Sequence, residues 1–97
     1  MNATLKAVCT LLRNDNVEVR RSAAIVLDRI RPRDPSVSKA LGEALITCTD
    51  PQVRTSLLEA LQHNPHEQSI KYLLEVISAG TVEEDAALQA LASIGQK

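Results

Sequence analysis

The stretch that decides the fold is DNVEVRRSAAIVLDRI, residues 15–30. A related stretch, DPQVRTSLLEAL, follows at residues 50–61, and the Val-Arg pairs of the two stretches align at an offset of 34 residues. A more degenerate copy, AALQAL, occupies residues 86–91. Repetition at about 30–34 residues is typical of stacked helical arrays, in which no single unit can bury its apolar face alone.

Composition narrows the class of protein. The chain has 97 residues, enough for one domain, and it contains one tyrosine but no phenylalanine or tryptophan. Its core must therefore be built from aliphatic side chains, which suit closely spaced helices. Because the N-terminus has no basic region followed by an apolar one, and no apolar run approaches the length of a membrane span, we expect a cytoplasmic protein without a membrane segment. Cys9 and Cys48 form no CxxC pair, so we expect small buried thiols.

Charge is distributed unevenly. The whole chain carries a net charge of −1. Residues 1–33 contain seven basic and three acidic residues, a net charge of +4, whereas residues 34–97 contain four basic and nine acidic residues, a net charge of −5. The sequence therefore predicts a basic end and an acidic end.

Helix start and stop signals recur along the chain, and no segment alternates with the period of a strand. Side chains that can accept hydrogen bonds at a helix N-terminus precede most of the predicted helices, three of them before proline: Asn2, Asn14-Asp15-Asn16, Asp34-Pro35, Asp50-Pro51 and Asn64-Pro65. Gly80 and Gly95 stand where a left-handed residue ends a helix. Six helices are predicted, at about 3–13, 16–31, 35–48, 51–63, 65–79 and 82–94. The fold class is thus all-α, a solenoid of three helix pairs in a single domain, with units at about 1–33, 34–64 and 65–97.

The second helix has an apolar stripe that we expect to be buried. Its members recur at helical spacing: Val19, Ala23, Val26, Leu27 and Ile30.

Residues 19–27 follow the pattern Val-Arg-x-x-Ala-Ala-x-x-Leu after Asp15. In this they resemble HEAT repeats, and more narrowly the short type found in phycobilisome-lyase-like proteins. The second unit keeps its Val-Arg but replaces the alanines with leucines, and the third keeps Ala86-Ala87 but lacks Val-Arg. The resemblance implies a right-handed superhelix whose second helices line a concave face that grips another macromolecule.

The resemblance also implies a role for two arginines. Arg20 and Arg54 would bridge to the aspartate of a neighbouring unit, for which Asp15 and Asp50 are the candidates. Because the third unit has no such arginine, we expect this ladder to end there.

The positions left over by the buried stripe form a candidate partner-binding strip on the second helices. Its residues are Arg21, Ile25, Asp28, Arg29, Thr55, Glu59, Gln62, His63 and Gln89. Ile25 is the apolar exception among polar neighbours, which is typical of a contact site. The alternative is that Ile25 packs beneath the first repeat, since the edges of a helical stripe are uncertain by a position or two.

Catalytic and metal motifs are weak. His63, His66 and Glu67 lie close in sequence, but the histidines straddle a helix break and no further ligand is evident, so we predict no metal site. No phosphate loop, nucleophile set or cofactor motif is present, so we predict no enzyme activity. By resemblance alone, the chain could be the non-catalytic part of a phycobilin-lyase-like enzyme.

Two further alternatives come from the charge pattern. The basic first unit, with arginines at 20, 21, 29, 31 and 33, could contact nucleic-acid phosphates, although the acidic remainder would repel them. The last helix has alanines and leucines on more than one side and lacks the polar face of a terminal cap, which favours self-association through it. The leading prediction is a protein-binding scaffold or adaptor, either whole or a fragment of a longer array.

Overall fold

The computed structural model describes residues 2–95, and six α-helices account for most of them. The helices are α1 (Ala3–Leu11), α2 (Val17–Ile30), α3 (Pro35–Thr47), α4 (Pro51–His63), α5 (Ile70–Ser78) and α6 (Glu84–Gly95), with a 3-10 turn at Glu67–Ser69. No strand is present in this part of the chain, which confirms the all-α prediction. None of the helices in it has the length and apolarity that a bilayer span requires.

Local signals place the helix starts. The side chain of Asn2 accepts from the N–H of Leu5, and that of Asn16 accepts from two N–H groups of the first turn of α2. Asp34 and Asp50 cap α3 and α4 in the same way, each followed by proline at the first helical position. Proline is tolerated there because its missing N–H has no partner inside the helix. These caps confirm the starts expected from the sequence.

Helices pair along the chain and stack in two layers. Each helix packs on its successor in the pairs α1–α2, α3–α4 and α5–α6, while α4 lies between α2 and α6 and α3 lies between α1 and α5. The molecule measures 32 × 30 × 18 Å. This arrangement is an α-α solenoid, as predicted.

The core lies between the layers and is aliphatic. Its largest fully buried apolar side chains come from the middle of the chain: Leu27, Val37, Leu41, Leu45, Val53, Leu57, Leu61 and Leu73. Tyr72 joins them by packing its ring against the backbone of Gly42, where a Cβ atom would overlap the ring. Glycine at position 42 is therefore required for the close approach of α3 and α5.

The predicted stripe of α2 is partly wrong. Ala23 and Leu27 are buried, but Val19 is only half-buried, Val26 is exposed and Ile30 is 51% exposed. The reason is that α2 packs mainly on two helices, α1 and α4, whereas α4 packs on three, so part of the α2 stripe stays uncovered within residues 2–95. Periodicity identifies an apolar face, but the neighbour decides how much of it is buried.

Two helix-end predictions are also wrong. Asn64 does not cap the next helix; it ends α4, and the 3-10 turn intervenes before α5 begins at Ile70. The Asn64 side chain is turned inward by bonds to main-chain carbonyls of α2 and α4. Gly80 has the expected positive φ of 63°, whereas Gly95 is simply the last residue of α6.

The arginine ladder differs from the expectation. Arg54 does not bind Asp50, because that carboxylate is occupied as the cap of α4. Its Nη1 donates to the carbonyls of Leu45 and Cys48, at 2.6 and 2.8 Å, and its Nε and Nη2 bind the carboxylate of Glu83 just before α6. The arginine thus ties α4 both to the preceding loop and to the third helix pair.

Arg20 repeats only half of this pattern. Its Nη1 donates to the carbonyls of Asn14 and Asp15, at 2.8 and 3.3 Å, rather than to the Asp15 carboxylate. Its Nε is buried and has no hydrogen-bond partner among the described residues. The next helix pair offers no acid equivalent to Glu83, so the prediction of Arg-Asp bridges is wrong for both arginines.

Candidate functional site

A groove between α2 and α4 contains most of the predicted strip. Its volume is about 380 Å³, and it is lined by Arg21, Ile25, Asp28, Arg29, Gln52, Thr55, Ser56 and Glu59. Six of these residues belong to the predicted strip. Whether they bind a partner stays a prediction.

Helical spacing explains how the two walls form. On α2, the residues at 21, 25, 28 and 29 are separated by four, three and one positions, and on α4 those at 52, 55, 56 and 59 follow a similar spacing. Residues three and four apart share one helix face, so each set makes one wall. Gln52 and Ser56 were absent from the prediction, although extending the Thr55 and Glu59 face one turn towards the helix start would have included Gln52.

Ile25 gives the groove its apolar centre. Its side chain is 38% exposed, so it neither packs fully beneath the first helix pair nor projects freely into solvent. Arg21 and Arg29 lie one turn to either side of it on α2, and Glu59 faces them from α4. The groove therefore combines charges of both signs with one accessible aliphatic group.

His63 reaches back to α2. Its Nδ1 forms a hydrogen bond with Oδ1 of Asp28, and both side chains are partly buried. This bond joins the end of α4 to the last turn of α2. His63 is therefore engaged at the edge of the groove and does not line it.

The remaining predicted residues lie elsewhere. Gln62 is half-buried near the end of α4, and Gln89 is exposed on α6, and neither lines the groove. His66 lies beyond the groove, in a loop that also carries Asn64 and Pro65. Within residues 2–95, no group of three histidine, cysteine or acidic side chains is arranged to hold a metal ion.

The last helix has a mixed surface. Ala87, Ala90 and Ile94 are buried against α4 and α5, whereas Leu88 is exposed together with the acidic Asp85. Self-association through this helix stays a prediction.

Both cysteines are unbridged. Cys48 is buried and Cys9 is half-buried. Burial, and secondarily the negative charge of Asp34, raise the pKa of the Cys9 thiol. A raised pKa leaves less thiolate, so Cys9 is a poor nucleophile at neutral pH.

Comparison with known protein families matches the description HEAT repeats over residues 5–92. The chain belongs to the HEAT-repeat family. This HEAT-repeat match covers nearly all of the described structure, and its narrower assignment to the phycobilisome-lyase-like type stays a prediction. No curated protein and no solved structure matches the chain.

Proposed function

We propose that this HEAT-repeat chain is a protein-binding scaffold that holds its partner in the α2–α4 groove. HEAT repeats are commonly scaffolds for protein interactions, and stacked repeats offer extended surfaces for that purpose. The observation that carries the proposal is Ile25, an accessible aliphatic side chain between two arginines and opposite a glutamate.

The chemistry of the groove supports a protein partner over a nucleic acid. Arg21 and Arg29 would attract phosphates, but Asp28 and Glu59 line the same groove and would repel them. Protein interfaces, by contrast, commonly have an apolar centre with a polar rim. The proposed role is non-catalytic and needs no cofactor.

The test compares capture of proteins from a lysate of the source organism by the native chain and by a groove variant. The groove variant combines Arg21→Glu, Ile25→Glu and Glu59→Lys. A matched control on the opposite layer combines Lys39→Glu, Leu74→Glu and Glu75→Lys, all exposed positions on α3 and α5 with the same kinds of substitution.

The expected result is a protein retained by the native chain and the control variant but released by the groove variant. Far-ultraviolet circular dichroism should show that all three chains are equally helical. Equal retention by the groove variant would contradict the proposal, and so would loss of retention in the control alone.

A further inference from the structure

A second cavity lies between the loop that follows α2 and the loop that follows α4. Its volume is about 450 Å³, within the usual range for ligand sites. It is lined by Arg31, Arg33, His63, Asn64, Pro65 and His66. Only His63 belongs to the strip predicted from the sequence, so this is a separate site.

The cavity is basic and has no acidic wall. Neither Arg31 nor Arg33 pairs with a carboxylate within residues 2–95, and the one bond of the Arg31 side chain is a long contact from Nε to the carbonyl of Asp28, at 3.4 Å. The Asp28 carboxylate is itself held by His63. Two guanidinium groups therefore have donors available for an anion.

Asn64 forms a closed part of the wall of the same cavity. The residue is 1% exposed, and its Nδ2 donates to the carbonyls of Ala60 and Leu27, at 2.8 and 3.3 Å. Since both neighbours of that nitrogen are acceptors, the orientation of the amide is fixed. Its Oδ1 has no hydrogen-bond donor among the described residues and is shielded from solvent, so a ligand in the cavity does not reach it.

The backbone of the first loop is strained where the arginines stand. Arg31 and Arg33 have φ angles of 50° and 54°, and they are the only described residues other than glycine with positive φ. Glycine adopts this region without cost, whereas an arginine does not. At Arg31 the positive φ belongs to the left-handed cap that ends α2. The loop brings two guanidinium groups to one cavity.

The ligand must therefore carry an anionic group. We propose that this cavity binds an acidic peptide segment, whose side-chain carboxylate is taken by Arg31 and Arg33. Planar guanidinium groups match carboxylates in two-pronged geometry. Because the proposed partner is a protein, the carboxylate belongs to a peptide, and inorganic phosphate serves as the competing anion in the test.

This inference rests on the proposed function, because the acidic segment would belong to the protein held in the α2–α4 groove. The bond between His63 and Asp28 connects the two sites, since His63 lines the cavity and Asp28 lines the groove. A partner with an acidic segment next to its main contact would span both.

The test is an NMR titration of the isotopically labelled chain with a blocked tetrapeptide containing two central glutamates. A single carboxylate site of this kind should bind with Kd of about 1 mM. We expect chemical-shift changes at the Asn64 side-chain amide and at the Nε–H groups of Arg31 and Arg33. The same peptide with glutamines in place of the glutamates should bind at least about tenfold more weakly, the equivalent of 1.4 kcal/mol.

Replacing both arginines with glycine changes peptide binding and stability in opposite directions. Arg31→Gly with Arg33→Gly relieves the positive φ angles and removes both guanidinium groups, so the chain should unfold at higher denaturant concentration while losing peptide binding. The control combines Arg13→Gln and Lys71→Gln, exposed positions outside the cavity, and removes the same charge. It should bind the peptide as the native chain does.

Several results would overturn the proposal: no shifts at the cavity, equal binding of the glutamine peptide, equal loss of binding in the charge control, or full displacement of the peptide by inorganic phosphate at equal concentration. Oligonucleotide binding at the same residues, stronger than that of the peptide, would replace it with a nucleic-acid site. The Arg21→Glu, Ile25→Glu, Glu59→Lys variant separates the two proposals. If this variant binds the peptide and captures as much protein from lysate as the native chain, the groove proposal fails and the cavity proposal stands. If the native chain captures protein but does not bind the peptide, only the cavity proposal fails.

Discussion

Arg54 and Glu83 form a two-pronged ion pair between α4 and the start of α6, with Nε 3.0 Å and Nη2 2.9 Å from Oε1. Both side chains are largely shielded from solvent, at 21% and 17% exposure. Breaking a shielded pair from one side leaves the other charge uncompensated. We therefore expect Glu83→Gln to lower the free energy of unfolding by about 2 kcal/mol, measured by urea denaturation.

The control for this prediction is the pair between Arg13 and Glu43. Their closest atoms are 3.8 Å apart and the side chains are 76% and 39% exposed. Exposed pairs of this kind contribute little, so Glu43→Gln should change stability by no more than about 0.5 kcal/mol. If the two glutamine variants lose the same stability, the Arg54 bridge does not hold the third helix pair in place.

Asn64 joins the ends of α2 and α4. Its side-chain N–H groups donate to the carbonyls of Leu27 and Ala60, and its main-chain carbonyl accepts a hydrogen bond from the buried hydroxyl of Ser38. Asn64→Ala should cost about 2 kcal/mol because the carbonyl of Ala60 loses this side-chain donor, while that of Leu27 keeps the main-chain N–H of Arg31. Asn64→Asp should cost more, since an acceptor would then face them. Thermal denaturation of both variants checks the order.

Asn14 serves as the comparison for that prediction. Its side chain accepts one exposed local bond, from the N–H of Asn16. Asn14→Ala should therefore cost no more than about 0.5 kcal/mol. An equal loss at positions 14 and 64 would rule out the buried amide as a link between helices.

Gly42 allows Tyr72 to lie against α3. A methyl group at position 42 would overlap the tyrosine ring, so Gly42→Ala should destabilise the chain by about 1–3 kcal/mol. In a Tyr72→Ala background the same substitution should be neutral or stabilising, because alanine is the better helix former. A double-mutant cycle measured by urea denaturation gives the coupling directly.

The matching control is Gly95→Ala, where a Cβ atom would meet no neighbour within 4 Å. It should leave stability unchanged or slightly raised. A Gly42→Ala penalty that persists without the tyrosine ring would contradict the steric explanation.

The thiol of Cys9 should titrate above its usual range. Burial, and then the Asp34 carboxylate, raise its pKa. Because folding favours the protonated thiol, its contribution to stability is complete below about pH 8.5, the pKa of an unfolded cysteine, and is lost as pH rises through the higher folded value. Alkylation of Cys9 by iodoacetamide, followed by peptide mass mapping, should therefore have a midpoint above that of a free cysteine.

Asp34→Asn tests the electrostatic part of this shift. Asparagine caps a helix as well as aspartate does, so α3 should keep its start while the negative charge is removed. The pKa of Cys9 should then fall and alkylation at mildly alkaline pH should become faster. An unchanged midpoint would assign the whole shift to burial.

Local chemistry made the helix starts predictable. Asp34 and Asp50 each precede proline, and that pair of residues caps a helix wherever it occurs in the fold. Helical spacing was equally informative for the groove, since Arg21 and Ile25 share a wall for the same local reason. The resemblance to HEAT repeats implied that the helix pairs stack in chain order.

Long-range partners were not predictable. The acceptor of Arg54 lies 29 residues away in another helix pair, and the carbonyl that orients Asn64 lies 37 residues away on α2. Only stacking brings these groups together. The basic cavity shows the same limit, because its arginines and histidines come from two loops whose meeting no periodicity encodes.

Tyr72 has a consequence for measurement. It is the only aromatic residue in the chain apart from the histidines, and it lies where α3 meets α5. Intrinsic fluorescence and near-ultraviolet dichroism therefore report on that junction alone, whereas the peptide absorption bands average over all six helices. The stability of a stacked array is approximately a sum over the repeats and the interfaces between neighbouring repeats. If the tyrosine signal changes at a lower denaturant concentration than the peptide signal, the third helix pair unfolds first. If the two signals change together, the three helix pairs unfold as one cooperative unit. Tyr72 therefore reports whether unfolding is cooperative across the stacked helix pairs.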